Sequence, residues 1–438
     1  MKDILISGLL GAVSALVIAA SPATAQDVTI INAKVVVGDG SEPVENGTVV
    51  VRGGKVVAAG AGVNAPADIP TMDANGAWVT PGLFATVTTL GIWDVGAVRE
   101  SNDQRAGSAP FSAALDTADI INPNSQHILV SRAAGITRAS TTTMPSSSIF
   151  AGQGAIIDLD SDATPVMQAK AFQMVELGER GAAISGGSRA AAYVLFRSAL
   201  REAAALGRGL PRTPEIGADG EVMLSRFDAE ALRPVVAGTQ KLYVSVERAS
   251  DIRAVLALKS EFPKLDMVLV GASEGWLVAN DIARAGVQVL ADGLDDLPDS
   301  FEELAATQSN IGRMKDAGVT VAINASAMEN TRRLSQHAGN LVALEKVPGA
   351  AGLSWGEAFA AISSIPARIS GYGDRAGVLK SGALGDVVIW DGDPLEVGSI
   401  PTKVFIGGVE QSLQSHQSRL RERYIDLDES DQPKGYDW

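Results

Sequence analysis

The 438-residue sequence contains no cysteine and only three histidines, His127, His337 and His416. The first absence excludes disulfides, thiol nucleophiles and thiolate metal centres. The second caps the imidazoles that any metal site can draw on. Positive charge is also scarce: 36 Lys and Arg against 51 Asp and Glu give a net charge of −15, which disfavours nucleic acid and anionic membrane surfaces as partners. Neither a Walker-type phosphate loop nor a Rossmann GxGxxG is present.

What is present begins with an export signature. Lys2 is followed by an uncharged apolar run from Ile4 to Ala20, then Ser21, Pro22 and the small-residue pattern Ala23-Thr24-Ala25. This order predicts a signal peptide over residues 1–25, cleaved after Ala25, with delivery to the periplasm. A membrane anchor is the alternative, but the run is short for a span and the cleavage site follows it directly, so no stable anchor is expected. Cleavage leaves 413 residues, ample for a barrel of about 250 residues and a smaller domain. A chain of this size has core enough to fold in an oxidising compartment without disulfides.

Residues 27–80 read as short strands, at Val28–Ile31, Lys34–Val37, Gly47–Arg52 and Lys55–Ala59. Glycine-rich turns separate them in the pattern of a meander. From residue 81 to 375 apolar strand-like runs alternate with Ala-rich helical stretches, among them Ser188–Leu206, Asp251–Glu261 and Trp355–Ser363. Such alternation predicts βα units and a parallel sheet. The runs at Lys241–Val246, Met267–Val270, Val287–Leu290 and Val319–Ile323 recur at the spacing of a (β/α)₈ barrel, favoured over a doubly wound sheet. Strands return at Asp386–Trp390 and Val404–Ile406. The expected architecture is an α/β fold: a barrel over 81–375, a composite β-sandwich from 26–80 and 376–412, and a tail over 413–438 that starts helical.

Two stretches carry a family resemblance. Val79-Thr80-Pro81-Gly82-Leu83, after the meander that ends Gly53-Gly54-Lys55-Val56-Val57-Ala58-Ala59-Gly60, resembles the start of an amidohydrolase barrel of the imidazolonepropionase-like group. Leu384-Gly385-Asp386-Val387-Val388-Ile389-Trp390-Asp391-Gly392-Asp393-Pro394 resembles the strand pair that closes the same family's sandwich. Ala134-Gly135-Ile136-Thr137, Ala151-Gly152-Gln153-Gly154 and Ser364-Ile365-Pro366-Ala367-Arg368 fall between them in family order. The resemblance covers nearly the whole mature chain. It implies a barrel whose mouth binds zinc or another divalent metal through four histidines and an aspartate.

Those ligands are missing. In active relatives Pro-Gly-Leu runs into an Asp-x-His-x-His strand, whose histidines, two apart, project from one face. Here the histidine positions are Val87 and Thr89, and the aspartate is Ala85. The fifth-strand histidine becomes Ser245, the sixth-strand histidine Gly271, and the eighth-strand aspartate falls at or beside Ser326. The fourth-strand ligand is not placed by the sequence. Three histidines in the whole chain cannot supply the family's four, and Val, Thr, Ser and Gly are no ligands for zinc. No metal or other cofactor is therefore expected.

Other candidate chemistry is weaker. Each histidine lacks a second one nearby in sequence and reads as a packing or surface residue. Gly271-Ala272-Ser273-Glu274-Gly275 matches a nucleophile elbow, and Ser273, Asp292 and His337 form a conceivable triad, but the segment already serves as the sixth strand and its loop. Asp158-Leu159-Asp160-Ser161-Asp162 starts like a calcium loop, yet Ala163 and Ala169 stand where Gly and Glu are needed, so it reads as a turn. The acidic run Asp292, Asp295, Asp296, Asp299, Glu302, Glu303 follows the seventh strand at the barrel's functional rim.

The leading expectation is a non-catalytic family member that binds a small ligand, or that forms a homo-oligomer or pairs with an active homologue. The alternative is a hydrolase of C–N bonds other than peptide bonds. It would work through an atypical or metal-independent site drawn from Glu247, Glu274, Asp292 or Asn324. A family-type hydrolase with its metal site elsewhere is the third reading.

Overall fold

The computed structural model describes residues 25–207, 224–324 and 331–425. In chain order its strands are β1 (Val28–Val35), β2 (Val44–Arg52), β3 (Lys55–Gly60), β4 (Thr71–Asp73), β5 (Trp78–Pro81), β6 (Leu83–Thr88), β7 (Ile136–Thr141) and β8 (Phe150–Asp158). There follow β9 (Val166–Glu176), β10 (Lys241–Val246), β11 (Met267–Gly271), β12 (Gln288–Ala291), β13 (Val321–Ile323), β14 (Val387–Trp390), β15 (Pro401–Ile406) and β16 (Val409–Glu410).

The strands β6 to β13 form one eight-stranded sheet in sequence order. Its two edges are joined through a short segment: Phe84 N–H of β6 bonds Ile362 O at 3.0 Å, and Ile323 N–H of β13 bonds Ala361 O at 2.9 Å. The result is a TIM-like barrel. Side chains alternate as a period of two requires. Phe84, Ile156, Phe172, Tyr243, Val268 and Leu290 fill the interior, while Leu242, Val244, Val246, Leu269 and Val289 face the helices. Both faces are buried, which explains why β10 and β11 read as almost unbroken apolar runs.

One strand departs from uniform βα alternation. β8 is antiparallel to both β7 and β9. Only residues 142–149 and 159–165 connect these strands, too few for a helical crossover, so the neighbours must run in opposite directions. The barrel's fourth strand, β9, has no counterpart among the strands read from sequence. In the terminal sheet the separate strands expected at Val28–Ile31 and Lys34–Val37 are one strand, with a register shift beside Asn32, whose φ is +54°.

The strands of the two ends share a sheet, in the order β16-β15-β14-β5-β1-β2-β3 with β4 beside β1. The seam is the antiparallel pair β14–β5, where Val387 faces Pro81 and Trp390 faces Trp78. This sheet has its own apolar cluster, including Ile30, Val35, Val49, Val79, Val387 and Phe405. A buried ion pair ties it to the barrel: Arg138 of β7 donates Nε and Nη2 to the two oxygens of Asp386, at 2.7 and 2.8 Å, and Nη1 to Asp158 at 3.1 Å. Gly82 at the junction is required by packing, because a Cβ there would lie 2.1 Å from Thr137 Oγ1.

Asp160 and Asp162 accept amide hydrogens from Asp162 and Thr164, forming the turn expected at the calcium-like stretch. The tail begins with a helix over His416–Tyr424. Among the described residues no helix is long and apolar enough to cross a membrane.

Candidate ligand site at the barrel mouth

A cavity of about 240 Å³ opens at the carboxyl ends of β6, β9, β10, β11, β12 and β13. Val87, Met174, Ser245, Val270 and Asn324 come from strand ends. Glu176, Glu247, Asp292, Asp295, Asp299 and Glu303 make its wall acidic, and Arg180 is the one cation among its lining residues.

The positions expected to have replaced metal ligands are only partly brought together. Val87, Ser245 and Gly271 line the cavity, whereas Thr89 does not. Val87 has φ +50°, an unfavourable conformation for a β-branched residue, and the β6–β7 register slips between Ala85 and Thr88. The strict alternation that would place Val87 and Thr89 on one face is therefore lost. Thr89 is fully buried and its hydroxyl accepts from Gln104 Nε2 at 3.2 Å. Ser326 lies outside the described residues; its neighbour Asn324 lines the mouth and donates its amide to Ala291 O.

Among the alternative catalytic residues, Glu274 is not at the mouth. Its carboxylate accepts the amides of Ala249 and Ala305 at 2.9 and 3.1 Å, pinning the start of helix Ala249–Glu261 to the rim segment. Asp292 lines the cavity, accepts Leu294 N–H at 2.7 Å and stands 3.3 Å from His337 Nδ1. Ser273 does not meet that imidazole in a triad. Its hydroxyl bonds Glu247 Oε2 at 2.8 Å and lies 3.2 Å from Asp295 Oδ2, and the strained residue is Ala272, φ +52°, rather than the serine.

The remaining histidines are elsewhere. His127 stacks on Trp93 with ring centroids 3.8 Å apart and bonds Asp94 O, and it shares a separate groove with the exposed His416.

Sequence reasoning missed Glu176 and Arg180. Glu176 ends β9 directly opposite Ser245 in the parallel register, which is the fourth-strand position. An acidic residue closing the run Met174-Val175-Glu176 just before Gly178 was the available signal. Burial pushes the Glu176 carboxyl up to about 7, against the pull of the Ser245 hydroxyl and Arg180. Glu247 is pushed up to about 8 by burial, against hydrogen bonds from Ser273. Asp295 is raised to about 6 by burial and by Asp292 beside it.

The described residues of this mouth do not fit a divalent metal. At the first, fifth and sixth strands the side chains facing the cavity are an isopropyl group, a hydroxyl and no side chain at all. Among the described residues no group of three or more His, Asp or Glu side chains is arranged to hold an ion.

A barrel with an accessory sheet built from both ends of the chain and a cavity at its strand carboxyl ends is a frame that enzymes of many activities share. The Amidohydrolase family profile matches residues 243–412. The amidohydrolase tasK of Hapsidospora irregularis is 24% identical over 376 residues, 79% of this chain and 37% of that protein. The chain thus spans little more than a third of the curated relative's length. An amidohydrolase from Thermotoga maritima superposes with a TM-score of 0.74 at 21% identity, covering 87% of this chain and 99% of that one. A triazine hydrolase from Arthobacter aurescens gives 0.51 at 15%, covering 91% and 97%. An adenosine deaminase from Xanthomonas campestris with bound zinc gives 0.50 at 16%, covering 89% and 93%. The family match is thus confined to residues 243–412, and the structural likeness shows that the chain shares the fold of solved amidohydrolases.

Proposed function

We propose that this protein is an exported amidohydrolase-family member that does not carry out the family's metal-assisted hydrolysis and instead binds a small ligand in the barrel mouth. The observation that carries this reading is the cavity itself. It is intact and faces the functional rim, yet the strand ends that would hold the ion present Val87, Ser245 and Gly271. Its acidic wall suits a ligand with a positively charged or hydrogen-bond-donating group better than an anion. Strained backbone at Val87 and Ala272 supports a functional rim, since such strain persists where the surroundings enforce it. Either a homo-oligomer or a complex with an active homologue is compatible with the ligand-binding role.

Export to the periplasm is part of the reading. The backbone N–H of Gln26, the residue that cleavage would place first, bonds Gly408 O at 2.8 Å, so the chain is already tied to the sheet at that residue.

The test is a thermal-shift screen of small amines, amino acids and dipeptides, run beside a hydrolysis assay on the same compounds with and without zinc. Saturable stabilisation without zinc-dependent turnover supports the reading. Zinc-stimulated turnover at this mouth overturns it. A second reading, metal-independent C–N hydrolysis, is favoured by the two carboxyls placed in the cavity wall: burial raises Glu176 to about 7 and Glu247 to about 8, the range a general acid or base needs. It requires chelator-resistant turnover that E247Q abolishes.

A further inference from the structure

We infer that the loss of the metal is locked in by Glu247, whose carboxylate has taken over the space that a sixth-strand ligand would use. This rests on the reading of the mouth as a site without its metal, and it goes further by naming the group that replaces it.

The missing histidines alone leave open whether the site is merely empty of ligands. The packing at Gly271 answers that. A Cβ built on Gly271 would lie 1.8 Å from Glu247 Oε1, 2.4 Å from Cδ and 2.5 Å from Oε2. No side chain fits there while Glu247 keeps its position, and certainly not an imidazole. The carboxylate is fixed, because the Ser273 amide and hydroxyl both donate to Oε2, at 2.9 and 2.8 Å. The backbone fixes it too: Ala272 N–H bonds Val246 O at 2.8 Å, and Glu274 N–H bonds Glu247 O at 3.1 Å. These contacts clamp the end of β10 against the turn after β11. Gly271 itself has φ +89°, so the turn that brings Ser273 onto Glu247 also takes residue 271 out of the extended conformation from which a strand-end ligand projects. Glu247 remains partly exposed at the cavity wall. A ligand entering the mouth meets a carboxyl where the family's substrates would meet an ion.

The test is a double-mutant cycle in the full chain, with thermal and denaturant midpoints measured for the wild type, G271A, E247A and G271A/E247A. The strain of the positive φ is common to both backgrounds, so the cycle isolates the clash. We expect G271A to lower the midpoint markedly when Glu247 is present and by much less when residue 247 is Ala. An equal loss in both backgrounds overturns the inference. Zinc uptake provides a second readout, measured by elemental analysis after dialysis. V87H/S245H/G271H, at three positions that line the cavity, should take up no zinc above wild type, while the same triple change with E247A should take up more. Uptake that needs Glu247 would make the carboxylate a ligand rather than a block. That result would also leave ligand binding in the mouth, and thus the reading it rests on, to stand or fall on the thermal-shift screen.

Discussion

Glu247 concentrates the physical character of the mouth in one side chain. Its folded carboxyl is raised to about 8 by burial, above the unfolded value near 4.3. The folded protein therefore holds a proton there that the unfolded chain releases first. The stability this contributes is fully present below the unfolded pKa and is lost as pH rises through about 8. E247Q keeps the shape and cannot ionise. Its melting temperature relative to wild type should rise between pH 5 and pH 9, measured by thermal denaturation across that range. A constant difference would show that Glu247 does not titrate in the fold. Glu176, raised to about 7, should behave in the same direction over a lower window.

At the scale of elements, the decisive contact is the one between β7 and Asp386, the residue that leads into β14. Arg138 and Asp386 are 7% and 2% exposed and joined by two parallel hydrogen bonds, and Asp386 also accepts Gly407 N–H. Removing Asp386 leaves the buried guanidinium with Asp158 as its remaining carboxylate partner, and breaking such a buried pair costs about 3–5 kcal/mol. D386A should lower stability by that order in urea titration, and the loss should persist in high salt because the pair is shielded from it. The same element level shows what the sequence made legible. Strands β10 and β11, the Pro81-Gly82-Leu83 junction and the β14 segment could be read because burial on both faces, or tight packing, forces an unmistakable residue pattern. The antiparallel β8, the strand β9 and the break at Val87 were not legible. Direction is set by connection length and register by cross-strand contacts, and neither writes a local pattern. Glu274 and Glu247 look alike in sequence, yet one caps a helix and the other fills the mouth, because only the turn at Gly271-Ala272 decides which way each points.

For the whole molecule, the proposed function makes the chain an amidohydrolase-like barrel with a carboxyl-lined cavity in place of an ion site and both of its sheets kept. If export proceeds as proposed, intact mass of periplasmic protein should correspond to a chain beginning at Gln26, and a retained Met1 would contradict it. On that reading of the function, this mouth operates without a divalent ion. This is tested most directly by loading the purified protein with excess zinc, dialysing, and measuring bound metal together with the thermal midpoint before and after chelation. Far less than one zinc per chain and coincident melts are expected. One zinc per chain, with the midpoint falling by several degrees on chelation, would contradict the reading.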